Sequence, residues 1–175
     1  MVSYERDIAK LKHYAKKLGI KLVFKRVKYK PDAGKAEAWY SSVPSPVITV
    51  LVEPKVSGTT IILRLLHELG HHLDYLSMSN EQYKAEDTAI ILENKGAELV
   101  KEHREVIRSS EHRATSYMER IADDLSLSVP RYKVTAEAEA DRWAADQFAI
   151  TGSMPSDVEF KRFVVAARRR LRDKK

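Results

Sequence analysis

One apolar stretch of this sequence encloses two histidines and a glutamate. From Thr60 to Leu73 the chain is rich in leucine and isoleucine, and an apolar run of this length is typical of a buried helix. Within it lies the segment His67-Glu68-Leu69-Gly70-His71. Residues four apart lie nearly above one another on a helix, so both imidazoles can reach one ion. The segment therefore predicts a metal site on a buried helix.

The residue types around this segment narrow the chemistry. The chain has no cysteine, so any metal must be bound by histidine or carboxylate. Glu68 lies about a quarter turn away from the two histidines, where it can touch a metal-bound water without binding the metal. We predict one zinc ion with His67 and His71 as ligands and Glu68 as the catalytic general base. A catalytic zinc also needs a third protein ligand and an open fourth position.

The third ligand is predicted in a helix further along the chain. Its segment Glu137-Ala138-Glu139-Ala140-Asp141 offers a carboxylate and, one turn later, an acid that can hydrogen-bond a ligand histidine and fix its tautomer. Glu137 and Asp141 share a face of this helix, whereas Glu139 points elsewhere. We therefore predict Glu137 as the third ligand and keep Glu139 as the alternative.

Other metal-binding arrangements fit the sequence less well. Asp74 and Ser77 stand where the metzincin pattern requires a glycine and a histidine, which excludes that pattern. The other four histidines are predicted as surface or packing residues rather than ligands; they are His13, His72, His103 and His112. The sequence does not choose an oxyanion-stabilising residue among Tyr75, His112 and Tyr132.

Length and composition predict one folded, soluble domain. The 175 residues, with 43% hydrophobic and 32% charged residues, are ordinary for a single globular unit. The first residues are charged, and no apolar run approaches membrane-spanning length. We expect one domain over residues 1–175, in the cytoplasm and without a membrane partner.

The first third of the chain predicts a helix followed by three strands. Apolar residues at helical spacing predict a helix over about 4–18, and strands are predicted at 20–29, 36–41 and 47–52, with turns at 31–34 and 44–46. The middle strand carries Trp39 and Tyr40. This strand is either a sheet edge that accepts a substrate strand or a contributor of aromatic side chains to the core.

The rest of the chain predicts helices. Residues 80–128 predict two or three charged surface helices, with breaks near 94–96 and 109–110, and we treat about 80–130 as a helical insertion. Ala136 to Ile150 predicts the glutamate helix, with Thr135 as its N-cap. The predicted fold class is α+β and zincin-like, with a small three-stranded sheet packed on the motif helix and the glutamate helix.

The C-terminus concentrates the positive charge. Residues 161–175 contain eight basic residues and one acid, Asp173, in a chain with a net charge of +6. Apolar residues at helical spacing predict a helix over about 156–172, docked on the domain with a solvated basic face. We favour this interpretation over nucleic-acid contact, which stays possible.

Three pieces of the sequence resemble the ImmA/IrrE family of gluzincin metallo-endopeptidases. The segment Glu137 to Ala144 is similar to the family pattern E-x-E-A-N/D-x-F-A, and Met154-Pro155 to its closing L-M-P; the third piece is His67-Glu68-Leu69-Gly70-His71-His72. The resemblance covers roughly residues 20–76 and 135–155, and the order of predicted elements also fits. The chain departs from the family in the 66 positions from His71 to Glu137, a longer span than is typical.

The resemblance implies that His67, His71 and Glu137 bind zinc, that Glu68 is the catalytic acid and base, and that the substrate is a protein. Members of the family are often carried by phages, mobile elements or stress operons and act on transcriptional repressors. Two other hypotheses stay open. One is a catalytically inactive, zinc-stabilised regulatory or interaction protein. The other is a DNA-associated protease whose basic C-terminal helix contacts phosphates through Arg168, Arg169, Arg170 and Arg172.

Overall fold

The computed structural model describes residues 2–26, 37–42, 45–53 and 56–174. The fold is α+β, as predicted. In chain order the elements are α1 (Val2–Lys17), β1 (Lys21–Arg26), β2 (Glu37–Ser41), β3 (Val47–Val52), α2 (Gly58–Ser77), α3 (Asn80–Asn94), α4 (Lys101–Asp124), α5 (Arg131–Thr151) and α6 (Asp157–Arg172). The predicted turn at 31–34, the residues predicted to extend the first strand to 29, and Pro44 lie outside the described residues.

The three strands form one mixed sheet in the order β1-β3-β2. The β-branched strand β3 lies in the centre, parallel to β1 and antiparallel to β2, and its Ile48 and Val50 are fully buried. β2 is an edge strand. Its Trp39 is 44% exposed, whereas Tyr40 is half-buried and its hydroxyl lies 3.0 Å from Nδ1 of His72 in α2. The packing role predicted for this strand therefore describes Tyr40, and the role of the edge in accepting a substrate strand stays a prediction.

The motif helix α2 is the centre of the packing. It begins two residues before the predicted start, where the Ser57 hydroxyl accepts a hydrogen bond from the Thr60 amide at 3.1 Å and so satisfies one free N–H of the first turn. A helix that is apolar on most sides must be covered on most sides. α2 accordingly packs against α1, β2, β3 and α4, and the leucines Leu63, Leu65, Leu66 and Leu69 are buried.

The segment predicted as surface helices contains one surface helix and one core helix. α3 has a single buried residue, Ala89, as predicted. α4 differs, because it packs between α2 and α5 and buries Ala114, Met118 and Ile121. The break predicted near residues 109–110 is also wrong, since α4 runs through them without interruption.

The two C-terminal helices pack on each other. α5 begins at Arg131 behind Pro130, so Thr135 lies inside the helix and is not its N-cap. α6 starts with a capping box formed by Ser156 and Glu159 and packs on α5, where the rings of Trp143 and Phe163 stack with centroids 4.8 Å apart. None of the described helices is both long and apolar enough to cross a lipid bilayer.

Gly70 determines how closely α2 and α4 approach. A Cβ atom added at Gly70 would lie 2.2 Å from the backbone oxygen of Ala114, a distance that no side-chain rotation can relieve. The two helix backbones are therefore in contact at this point, one turn away from Glu111 on α4. Only glycine at position 70 permits this contact.

This contact predicts the effect of Gly70→Ala. Alanine would gain about 1 kcal/mol of helix propensity, but the clash with backbone forces the helices apart, and overpacking typically costs about 1–3 kcal/mol. We expect a net loss of up to about 2 kcal/mol in the free energy of unfolding, measured by urea denaturation. Gly58→Ala is the matched control, because the atoms nearest to its Cβ belong to the Tyr4 side chain, which can rotate away, and not to backbone. An equal or smaller loss for Gly70→Ala than for Gly58→Ala would contradict this account.

Candidate metal centre

Two histidines and one glutamate meet between α2 and α4. The Nε2 atoms of His67 and His71 are 3.1 Å apart. The Glu111 carboxylate lies against both, with Oε2 3.4 Å from Nε2 of His67 and Oε1 3.4 Å from Nε2 of His71. These are the described residues whose ligand atoms are grouped as a metal ion would require, all within 4.8 Å of one another.

The helices explain why these three side chains converge. His67 and His71 are one turn apart on α2, and their rings meet edge to face with centroids 4.7 Å apart. Glu111 lies one turn before Ala114 on α4, and residues at this spacing share a helix face. The contact of Ala114 with Gly70 therefore directs Glu111 toward α2, at the level of the two imidazoles.

The donor set and its dimensions fit a metal ion. Two imidazoles and one carboxylate are one of the ligand sets of catalytic zinc sites. Ligand atoms at about 2.0–2.2 Å from a tetrahedral zinc lie about 3.3–3.6 Å from one another. The two imidazole nitrogens are 3.1 Å apart, and each lies 3.4 Å from a different oxygen of Glu111, so the separations are close to this requirement. The three residues can therefore hold one cation, and the ligand set leaves a fourth position open.

The two predicted histidine ligands lie together in the structure, but the predicted glutamate ligand does not lie with them. It brings His67 and His71 together, as predicted, but the carboxylate beside them is that of Glu111. Glu137 is buried and lies 3.7 Å from an Arg64 nitrogen and 3.2 Å from an Arg168 nitrogen. Glu139, the alternative ligand, forms an ion pair with Arg170 on the surface. Neither glutamate of α5 belongs to the grouped set.

The Glu137 carboxylate is paired with arginines from two other helices. Burial raises the pKa of Glu137, and the nearby Asp141 raises it further, while Arg64 and Arg168 lower it. Arg64 belongs to α2 and Arg168 to α6, so Glu137 joins three helices through charge. This partnership gives the buried carboxylate a structural role that needs no metal.

Asp141 lies beside the imidazole of His67, where an acid one turn after Glu137 was predicted, although Nδ1 of His67 and Oδ2 of Asp141 do not meet with hydrogen-bond geometry. Its Oδ2 lies 3.3 Å from Nδ1 of His67, and its Oδ1 lies 3.8 Å from an Arg64 nitrogen. A proton on Nδ1 facing a carboxylate leaves Nε2 free to bind a metal. The Asp141 carboxylate therefore faces Nδ1 of His67, while Nε2 of the same ring faces His71 and Glu111.

The histidines and carboxylates of the group shift one another's pKa values. Burial lowers the pKa of His67, but the carboxylates of Asp141 and Glu111 outweigh this and raise the pKa to about 10. The pKa of His71 is also raised, against the effect of burial, chiefly by Glu111. Burial raises the pKa of Glu111, yet the two histidines bring the pKa down to about 2. Without a metal, His67 is therefore an imidazolium that faces the carboxylates of Glu111 and Asp141 at neutral pH.

Glu111 was missed because its surroundings in the sequence are charged. A signal was nevertheless present. Glu111 precedes Ala114 by three residues, the spacing that also relates Glu137 to Ala140. A small residue one turn after a glutamate permits close helix packing at the level of that glutamate.

Comparison with known proteins does not assign the site. The chain matches no protein-family model, curated protein or solved structure at a significant level.

The raised histidine pKa values predict that zinc binding releases protons. An unperturbed histidine is mostly neutral at pH 8, but His67 keeps its proton there because its pKa is about 10. A metal ligand must be deprotonated, so we expect at least one proton to be released per zinc bound at pH 8. Calorimetric titrations in two buffers of different ionisation enthalpy measure this number.

The same protons set the pH dependence of binding. Each released proton should make the apparent affinity rise about tenfold per pH unit between pH 6 and 8. An affinity that is level across this range, with no proton release at pH 8, would contradict the charge assignment.

Proposed function

We propose that this protein is a zinc-dependent metallopeptidase in which His67, His71 and Glu111 bind the ion and Glu68 acts as general base and acid. The proposal rests on one observation above all. A carboxylate from a second helix lies within 3.4 Å of both histidines of the H-E-x-x-H segment. Glu111 takes the part that the sequence assigned to Glu137.

Glu68 is suited to move the proton of the reaction. It follows a ligand histidine directly, and it is buried. Its charge contributes to the raised pKa values of His67 and His71, so its carboxylate is close to the group. When bound, zinc supplies Lewis acidity that makes a water more acidic and polarises a carbonyl. The Glu68 carboxylate takes the proton of the attacking water and delivers it to the leaving amine nitrogen.

The acids and bases around the ligands maintain this arrangement. Asp141 keeps the proton of His67 on Nδ1 and so keeps Nε2 available. Arg64 lies between Asp141 and Glu137, which balances two buried negative charges near the site. The carboxylate of Glu137 thereby contributes to the support of the ligand helix.

The substrate that we propose is a protein. This expectation comes from the resemblance to the ImmA/IrrE family, whose members act on proteins such as transcriptional repressors. The exposed Trp39 on the edge strand β2 supports it, because an extended chain can pair with an edge strand.

The DNA-associated alternative gains little support from the charges of α6. All four arginines considered for phosphate contact have a carboxylate partner. Arg168 pairs with Glu137 and Arg170 with Glu139, whereas Arg169 and Arg172 share the exposed Asp173. The zinc-stabilised regulatory protein stays a competing hypothesis, and activity measurements separate it from an enzyme.

Zinc content tests the ligand set. We expect about one zinc per chain in the wild type, and little zinc in His67→Ala and Glu111→Ala, because each loses one of three protein ligands. Glu137→Ala is the matched control, a glutamate that is buried but paired with arginines, and it should retain the metal. Elemental analysis after dialysis measures the outcome. Retention of zinc in Glu111→Ala, with loss in Glu137→Ala, would return the third ligand to α5.

Glu68→Gln tests the catalytic role. Glutamine preserves the shape of the side chain but cannot accept the water proton, so cleavage of an unstructured protein such as casein should fall by about 10²–10⁴-fold. Zinc content should be unchanged. If the zinc-loaded wild type cleaves neither casein nor a mixed peptide library, the regulatory hypothesis replaces the enzyme.

A further inference from the structure

We propose that the ion pair between Arg113 and Asp74 is a positioning device, which sets α4 against α2 so that the Glu111 carboxylate meets both histidines. This inference rests on the metal site proposed above. It concerns residues that do not themselves touch the group. Asp74 lies three residues after His71, and Arg113 lies two residues after Glu111.

The ion pair joins the two ligand helices directly. Nε of Arg113 donates to Oδ1 of Asp74 at 2.7 Å, within the range of a charge-assisted hydrogen bond. Asp74 is 0% exposed. A carboxylate buried so completely is costly without a charged partner. The pair therefore favours the arrangement of α2 and α4 in which Arg113 can reach Asp74.

Arg113 also contacts a carboxylate of α3. An Nη2 atom of Arg113 lies 3.4 Å from Oε2 of Glu86, and the Ser110 hydroxyl donates to Oε1 of Glu86 at 2.8 Å. Ser110 and Arg113 lie on either side of Glu111 in the sequence. Glu86 thus fixes the turn of α4 that carries the ligand and directs Arg113 toward Asp74.

Apolar packing alone does not give this precision. The contact between Gly70 and Ala114 limits how far apart the helices lie, but dispersion and burial have little directional preference. A hydrogen-bonded ion pair depends on direction. Functional side chains must be placed within about 0.5 Å of their working geometry, so a directional contact beside the ligands has a clear use.

The other neighbour of Glu111 provides a comparison within the same helix. His112 lies 2.9 Å from Asp146 of α5, and Arg108 lies 3.4 Å from the same carboxylate. This cluster joins α4 to α5, which contributes no ligand to the group. Asp146→Asn therefore removes a charge partner of α4 without touching the α2–α4 junction.

Zinc affinity of Asp74→Asn and Asp146→Asn tests the inference. Asparagine keeps the size of the side chain and an acceptor oxygen but removes the charge. Loss of a supporting contact around a metal site typically weakens binding 10–100-fold, so we expect this loss for Asp74→Asn and less than a threefold change for Asp146→Asn. Competition with a chelator measures the dissociation constants. The absorption spectrum of the Co²⁺-loaded protein should change for Asp74→Asn alone, because it reports ligand geometry.

A second variant covers the case in which Asp74→Asn does not fold. Arg113→Lys keeps the charge but cannot reach both carboxylates with a planar fork, and we expect it to weaken zinc binding by a similar factor. The inference is overturned if the folded variants at positions 74 and 113 bind zinc within threefold of the wild type. It is also overturned if Asp146→Asn weakens binding equally. A wild type that binds no zinc would instead overturn the proposed function.

Discussion

The site depends on the close approach of two helix backbones. Gly70 and Ala114 allow α2 and α4 to touch where an added Cβ would lie 2.2 Å from a backbone oxygen. Glu111 reaches His67 and His71 because it lies one turn from this contact. On its other side, α2 packs through its buried leucines against the sheet and α1. The geometry of the group is therefore a consequence of packing before it is one of charge.

Charged side chains of alternating sign surround the group. Asp141 faces His67, Arg64 lies between Asp141 and Glu137, and Arg168 extends this series of alternating charges to α6. Part of the basic C-terminal helix thus balances acids inside the domain. This explains why a strongly basic helix is compatible with a docked position. The two α5 carboxylates therefore have different partners. Asp141 faces His67, and Glu137 is paired with arginines.

Much of the fold follows from the sequence, because its signals are local. The three strands lie close to their predicted positions within the described residues, and the apolar run around His67 gives the central helix. The i,i+4 spacing predicts the meeting of the two histidines, and the same geometry places Asp141 beside one of them. Glu111 could not be found in this way. Its helix α4 turns only a narrow apolar face inward among many charged residues, so periodicity alone suggested a surface helix. Which of Glu111 and Glu137 lies beside the histidines depends on tertiary packing.

The most direct test of the account is a crystal structure of the zinc-loaded protein with anomalous diffraction measured at the zinc absorption edge. The account predicts one anomalous peak, about 2.0–2.2 Å from Nε2 of His67, Nε2 of His71 and a carboxylate oxygen of Glu111, with Glu137 still paired to its arginines. A peak coordinated by Glu137, or zinc bound away from the two histidines, would contradict it.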